Sequence, residues 1–203
     1  SREWAWLDEK ARREEPLDRS EAMCIAESSD RDLDAICQGA SLARRKRFGD
    51  RATLCSILNA KSGLCPEDCA FCAQSSRHAT QAPRFPLLRE DAIRQARCEA
   101  AAVAPIGHYG VVASGKALSD SEIDRVCRAI RSGVEKEGEM PLWCASLGML
   151  GEPQLRKLKQ AGLRRYHHNL ETAKSFFPKI CTTHTYESRV ETVRAAQRAG
   201  LEI

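Results

Sequence analysis

Aromatic residues make up only 5% of this 203-residue sequence, and no basic stretch is interleaved with them. The stacking platforms on which single-stranded nucleic acids are bound are therefore missing. Charge is close to balanced, with 32 Lys and Arg against 28 Asp and Glu, so no strong field points at a polyanion. The one basic run, Arg44 to Arg47, closes a helical segment and reads as a solvated helix end, where cations favour the negative end of the dipole. No apolar run approaches the ~18 residues of a membrane span, and no leader pattern is visible. Neither nucleic acid nor membrane is an expected partner, and a reducing, cytoplasmic setting is expected. A second CxxC is also missing, as is any HxxxH, so the four closed ligands of a structural zinc site cannot be assembled from paired motifs.

Cysteine, by contrast, is plentiful, with ten in the chain. Disulfide-dense frameworks belong to much shorter secreted domains, and a chain this long buries a core without staples, so free thiols are expected. Three of them, Cys65, Cys69 and Cys72, stand at the spacing CxxxCxxC within the stretch CSILNAKSGLCPEDCAFCAQSS, residues 55–76. Thiolates are soft ligands that select zinc, copper(I) or iron–sulfur clusters. A cubane cluster takes four thiolates, so three protein ligands leave one iron open to an exogenous partner. Gly63 permits a sharp turn ahead of Cys65, and Pro66 fixes its own φ and biases Cys65 toward extended backbone, which places the ligands on a loop. Phe71 offers an apolar face beside the cluster or its ligand.

Residues 1–50 read as a charged helical extension, with Leu33, Ile36, Cys37 and Ala40 at helical spacing and Gly49 as its stop. Residues 51–203 have a different rhythm. Strands are expected over 52–58, 110–113, 142–147 and 163–168. Helices are expected over 87–103, after the capping box Ser119 to Glu122, around Leu155 and Leu158, and over 186–199. The triplet Ala-Gly-Leu recurs at 161–163 and 199–201, each time with glycine placed to end a helix. Alternating strands and helices imply α/β architecture with a parallel sheet of the (β/α) TIM-barrel type. Four units and the start of a fifth are counted, whereas a complete barrel typically needs about 250 residues. With no initial methionine, the sequence is expected to be a truncated piece of a longer enzyme. In such barrels catalytic groups gather at the C-terminal ends of the strands, where the cysteine loop falls.

The CxxxCxxC spacing with an aromatic before its last cysteine resembles the radical S-adenosylmethionine (SAM) enzymes, and AKSGLCPEDCAFCAQSS resembles the biotin synthases in particular. A second block, YHHNLETAKSFFPKICTTHTYESRVETVRAAQRAGLEI at 166–203, is similar to the biotin synthase segment with substrate and SAM contacts. The resemblance implies a 4Fe-4S cluster on Cys65, Cys69 and Cys72, with SAM chelating the open iron. It further implies reductive SAM cleavage to a deoxyadenosyl radical and insertion of sulfur into dethiobiotin. Carried over residue by residue, Glu171 would meet the SAM ribose, where Asp is usual, Arg189 would clamp the SAM carboxylate, and Phe71 would flank the cofactor. Lys61, His167 and Asn169 would contact dethiobiotin, with His167 standing where many relatives have Asn. An electron donor such as flavodoxin or ferredoxin, and a homodimer at full length, are implied as well.

One departure concerns the source of sulfur. The strand-two cysteine that holds the 2Fe-2S cluster in the best-known biotin synthases is Gly110 here, while Cys144 matches the next ligand. The sequence instead resembles a second group with an extra cysteine ahead of the radical motif, the place of Cys55. That resemblance implies an auxiliary iron–sulfur cluster of another type, with Cys55 and Cys144 among its ligands. Cys98, Cys127 and Cys181 are read as core or surface thiols. Two other readings are open: another radical SAM enzyme of this barrel type, such as a hydrogenase-maturation relative, or a non-catalytic iron–sulfur-binding fragment. The 166–203 block favours biotin synthase, although this length alone is expected to be inactive.

Overall fold

The computed structural model describes residues 4–203. They form two compact units, residues 4–52 and Thr53–Ile203. The first holds α1 (Ala5–Arg13), α2 (Arg19–Ala26) and α3 (Leu33–Phe48). A reciprocal Asp18–Glu21 capping box opens α2, and Gly49 ends α3 with φ 65°. Its buried face differs from the expected stripe. Leu33, Cys37 and Ala40 are exposed, and the buried residue of α3 is Gly39, against which Leu7 packs so closely that a Cβ would lie 2.6 Å from Leu7 Cγ. A small residue sets this contact because it lets a large side chain from α1 approach the backbone. Trp4 is buried, and its indole nitrogen donates to Asp32 Oδ1 at 2.9 Å.

The second unit is a parallel sheet whose strands run in chain order: β1 (Leu54–Lys61), β2 (Ile106–Ala113), β3 (Leu142–Ser146) and β4 (Arg165–Tyr166). Between them lie α4 (Glu90–Val103), α5 (Asp120–Glu137) and α6 (Glu152–Ala161), and α7 (Phe177–Ile180) and α8 (Tyr186–Arg198) follow β4. Strands in order with a helix between each pair make the repeating unit of a (β/α) barrel. After α8 the chain pairs again. Glu202 bridges Arg165 in parallel, and Tyr166 N donates to Glu202 O at 2.8 Å, which starts a fifth strand as expected. The expected elements are present with shifted ends, and α7, a single turn, lies between the last expected strand and the last expected helix. β2 begins four residues earlier than its apolar run, because Ile106 to Tyr109 satisfy backbone groups on β1 even where side-chain alternation is weak.

One face of the sheet carries Tyr109, Val111, Trp143, Ala145 and Tyr166 into the helices, where Ile123, Val126 and Ile130 of α5 and Leu155 and Leu158 of α6 complete the core. Ser119 and Glu122 form the expected capping box, and Cys127 lies on the buried stripe of α5. Gly133 admits the Trp143 indole, since a Cβ there would lie 2.8 Å from Cζ2. Arg97 is fully buried, yet its charge is matched: it donates to Pro141 O at 2.9 Å and Gly138 O at 3.0 Å, pairs with Glu137 and lies 5.0 Å over the Trp143 ring.

The opposite face is arranged in rows by the strand register. Asn59, Val112 and Ser146 form the row nearest the C-terminal ends, and Ile57, Gly110, Cys144 and Arg165 form the next. Cys55, His108 and Leu142 lie one row deeper.

Candidate active site

The β1–α4 connection is irregular because Gly63 (φ 73°) and Leu64 (φ 56°) both take left-handed backbone. A Cβ on Gly63 would also lie 2.8 Å from Arg84 Cγ. The loop then folds on itself: Cys65 N donates to Gln74 O at 3.0 Å, Ser76 N to Cys65 O at 2.8 Å and Cys72 N to Cys69 O at 3.0 Å. The chain between β4 and α8 latches onto it. Asp68 accepts from Thr182 N at 2.9 Å, Thr183 N at 3.2 Å and the Thr182 hydroxyl, and Thr183 Oγ1 donates to Glu67 Oε2 at 2.7 Å. Hydrogen bonding from Thr182 holds the Asp68 carboxyl well below the usual carboxylate range.

A cavity of about 250 Å³ opens between these loops. Cys65, Cys69, Cys72 and Phe71 line one side, and the row Asn59, Val112 and Ser146 forms part of its floor. Asn169, Glu171 and Arg189 face them. Seven of the residues singled out from sequence therefore meet around one space. Phe71 is 57% exposed and flanks the mouth of this space without sealing it. The other four lie outside its lining: Lys61 is held by Glu122 at 2.6 Å in a neighbouring pocket, and His167, Cys55 and Cys144 are set apart from the cavity wall.

Arg189 is the hub of the far wall. Its Nη1 donates to Asn169 O at 2.7 Å and pairs with Glu171 Oε1 at 3.3 Å, its Nε donates to His184 Nε2 at 3.0 Å, and the guanidinium lies 5.8 Å over the Phe177 ring. A guanidinium only donates, so His184 Nε2 accepts and Nδ1 carries the proton toward the buried Glu67 carboxylate. Glu171 sits at φ 68°, a conformation that a non-glycine residue keeps only where its surroundings enforce it.

Burial pushes the Cys65 thiol up, and it pushes Cys69 up to about 12, with the hydrogen bond to Cys181 adding to the effect. Buried thiolates need a positive centre beside them. Three sulfurs on one eight-residue loop with open space in front thus fit a cluster held by three protein thiolates and suit neither a closed zinc site nor inert packing.

Two features were not read from sequence. His168 lines the cavity, stacks on Tyr166 at 6.3 Å, is pulled down to about 4 by burial, and leaves its buried Nε2 without a partner. Cys181 is a buried core thiol, in keeping with its reading as a core or surface thiol, and the core it belongs to packs against the cluster loop, with Sγ 3.8 Å from Cys69 Sγ and 3.2 Å from His184 Nδ1. The CxxH spacing of Cys181 and His184 was the available signal.

None of the described helices is long and apolar enough to cross a membrane. The chain is 48% identical to a biotin synthase of Geobacter sulfurreducens over 189 residues, covering 92% of this chain and 56% of that protein. It is also 48% identical to one of Nitratidesulfovibrio vulgaris over 191 residues, 89% of this chain and 51% of that protein. The chain thus spans about half the length of the curated relatives it matches. Methylornithine synthase shares the fold at TM-score 0.78 and 19% identity, over 96% of this chain and 56% of that one. The [FeFe]-hydrogenase maturase HydG does so at 0.77 and 19%, over 98% and 44%. The family model of the radical SAM superfamily matches residues 61–203, the segment that contains the three-thiol loop and the Arg189 wall, and the chain belongs to that superfamily.

Proposed function

We propose that the protein acts as a biotin synthase, using SAM and a 4Fe-4S cluster on Cys65, Cys69 and Cys72 to insert sulfur into dethiobiotin. The observation that carries this reading is the meeting of a three-thiol loop with Asn169, Glu171 and Arg189 around one cavity. The name shared by relatives at 43–48% identity supports the substrate. Bound there, the cluster would supply a low-potential electron for reductive cleavage of a sulfonium C–S bond, while the protein would supply binding and orientation. An external one-electron donor of the flavodoxin or ferredoxin kind would reduce it.

Arg189 would take the SAM carboxylate bidentately, exchanging its present pairing with Glu171 for the ligand. Glu171, released from that pair, would accept from the ribose diol. Asn169, whose carbonyl already orients Arg189, would present its amide to dethiobiotin. Lys61 and His167 are left out of this assignment because neither lines the cavity.

Cys55 and Cys144 would help hold the auxiliary iron–sulfur cluster. They lie on the inner sheet face, Cys144 one row and Cys55 two rows below the cavity floor, and Gly110 leaves room beside Cys144 in its own row. Burial pushes the Cys144 thiol up to about 11, so it too needs a positive centre to ionise.

The gene that carries this sequence should let a biotin-requiring bacterial strain grow on dethiobiotin, and the Cys65→Ala form should not. Failure of the unmodified gene under anaerobic growth sinks the assignment. Iron and sulfide analysis of Cys55→Ser tests the auxiliary cluster, since unchanged auxiliary content removes Cys55 from its ligands.

A further inference from the structure

Arg189 is held from behind by a chain of two buried side chains. Those of His184 and Glu67 are only 3% and 8% exposed, and the His184 ring has a partner at each nitrogen. Nε2 accepts from Arg189 Nε at 3.0 Å, and Nδ1–H points to Glu67 Oε2. Cys181 Sγ lies 3.2 Å from the same Nδ1, but sulfur is the weaker acceptor of the two. Glu67 Oε2 is fixed in turn by the Thr183 hydroxyl, which donates to it at 2.7 Å. Phe177 supports both ends of the contact, since its ring meets His184 edge to face at 5.6 Å and lies under the Arg189 guanidinium at 5.8 Å. A guanidinium can grip a carboxylate bidentately by an edge that uses Nε or by the edge formed by its two Nη groups. His184 takes Nε, so the Nη edge is the one left for the cavity.

We propose that Glu67 and His184 are positioning residues that hold Arg189 by its Nε, so that its two Nη groups face the carboxylate of an amino-acid ligand, here the methionyl arm of SAM. This role rests on the reading of Arg189 as the SAM carboxylate clamp. The two side chains now bonded to Arg189 then have different fates. Glu171 pairs with Nη1, a group the ligand carboxylate takes, and gives it up. His184 is on Nε, outside that edge, and keeps its hold while the ligand is bound. A neutral imidazole suits this place because it fixes Nε and leaves the guanidinium its full charge for the ligand, whereas a carboxylate in direct contact would compete with it. Glu67 lies between Cys65 and Cys69 in the three-thiol loop, so the backbone that sets the sulfurs also sets the direction of the clamp.

Long-range proton–nitrogen NMR of the imidazole should show His184 in its Nδ1–H form, the minor tautomer of a free histidine side chain; an Nε2–H ring overturns the proposal. Anaerobic equilibrium dialysis then compares cluster-loaded forms at equal iron and sulfide content. His184→Leu should weaken SAM binding at least ~10-fold, the worth of a hydrogen bond to a charged group. Binding of 5′-deoxyadenosine, which has no carboxylate, should be unchanged. His184→Gln, whose amide oxygen can replace Nε2 as acceptor, should recover most of the loss. Glu67→Gln, which keeps an acceptor for Nδ1–H but not its charge, should fall between the two. A general disturbance of packing would weaken both ligands together and give no rescue by glutamine, and that result overturns the proposal. If the unmodified chain binds SAM and every variant binds it equally, the positioning role falls and the SAM reading stands. If the unmodified cluster-loaded chain ignores SAM, that reading falls and takes this role with it.

Discussion

The barrel unit carries two sets of thiols, and they are built on opposite principles. Cys65, Cys69 and Cys72 ride on irregular backbone, turned by Gly63 and Leu64 and latched through Asp68 to Thr182 and Thr183, so that three sulfurs of one short segment face one space. Cys55 and Cys144 ride on β1 and β3, where the pleat fixes their direction and β2 stands between them. Strands two apart in a sheet are about 9.6 Å apart, and one row adds roughly 6.6 Å along the strand. No single ion spans that gap, so the strand pair can serve only a multi-atom centre with further ligands, whereas the loop trio can enclose a cubane corner unaided.

The sharpest way to break this contrast is to remove one sulfur from each set. Cys65→Ala should abolish the SAM-responsive EPR signal of the reduced chain, while Cys144→Ala should keep it. Loss of the SAM response in both would mean that the strand set is part of the same centre. The next largest effect concerns the two glycines that shape the rows. Gly148, at the end of β3, has φ 89°, and a Cβ there would lie 2.3 Å from Lys116 O, so Gly148→Ala should cost roughly 2–5 kcal/mol in denaturant unfolding. At Gly110, beside Cys144, a Cβ meets Ile57 Cγ1 at an ordinary 3.6 Å, and Gly110→Ala should change stability by less than ~1 kcal/mol. Equal costs at the two positions would remove the distinction between a packed loop wall and an open strand row.

Much of the loop set was legible in the sequence because its logic is local. Spacing, a turn-forming glycine and a proline are all contained in a dozen residues, and the capping box of α5 is legible for the same reason. The strand register was not, since Asn59, Val112 and Ser146 come together only when three strands align. The Lys61 ion pair was not legible either, because its partner, Glu122, is 61 positions away on α5. Cys181 and His184 carried a metal-type spacing, but only the latch of Asp68 on Thr182 and Thr183 brings them to Cys69. In α3 an apolar stripe misled because Gly39, invisible to a hydrophobicity pattern, makes the contact.

A pH scan sharpens the contrast further, because the cavity wall has a titrating side chain of its own. His168 is pulled down to about 4 by burial, followed by the Arg189 charge, against about 6.5 when unfolded. The unfolded chain therefore binds this proton first as pH falls. The stability that His168 contributes is complete above pH ~6.5 and declines through the window down to ~4, by up to ~3 kcal/mol before discounting its partial exposure. His168→Gln should flatten that part of the unfolding profile. Some slope should remain, since burial and Arg165 also hold His167 below its ordinary value. An unchanged profile would place the titration elsewhere than in the cavity wall.

The smallest effect expected is local and belongs to the latch. In Asp68→Asn one carboxylate oxygen becomes an amide nitrogen, a donor facing donors, so the side chain can no longer accept from the Thr182 hydroxyl and both loop amides together. Asp68 and Thr183 are half-buried and Thr182 is exposed, and the core of α5 and α6 does not depend on them. Global unfolding should hardly move, while amide exchange at Thr182 and Thr183 should speed up roughly tenfold, the signature of local opening without global unfolding. Amides of β3 around Cys144 should keep their protection, because their partners are ladder carbonyls of β2 and β4. If exchange rose equally in both places, the loop thiols and the strand thiols would open as one cooperative element, and the loop could not adjust around a cluster independently of the sheet beneath it.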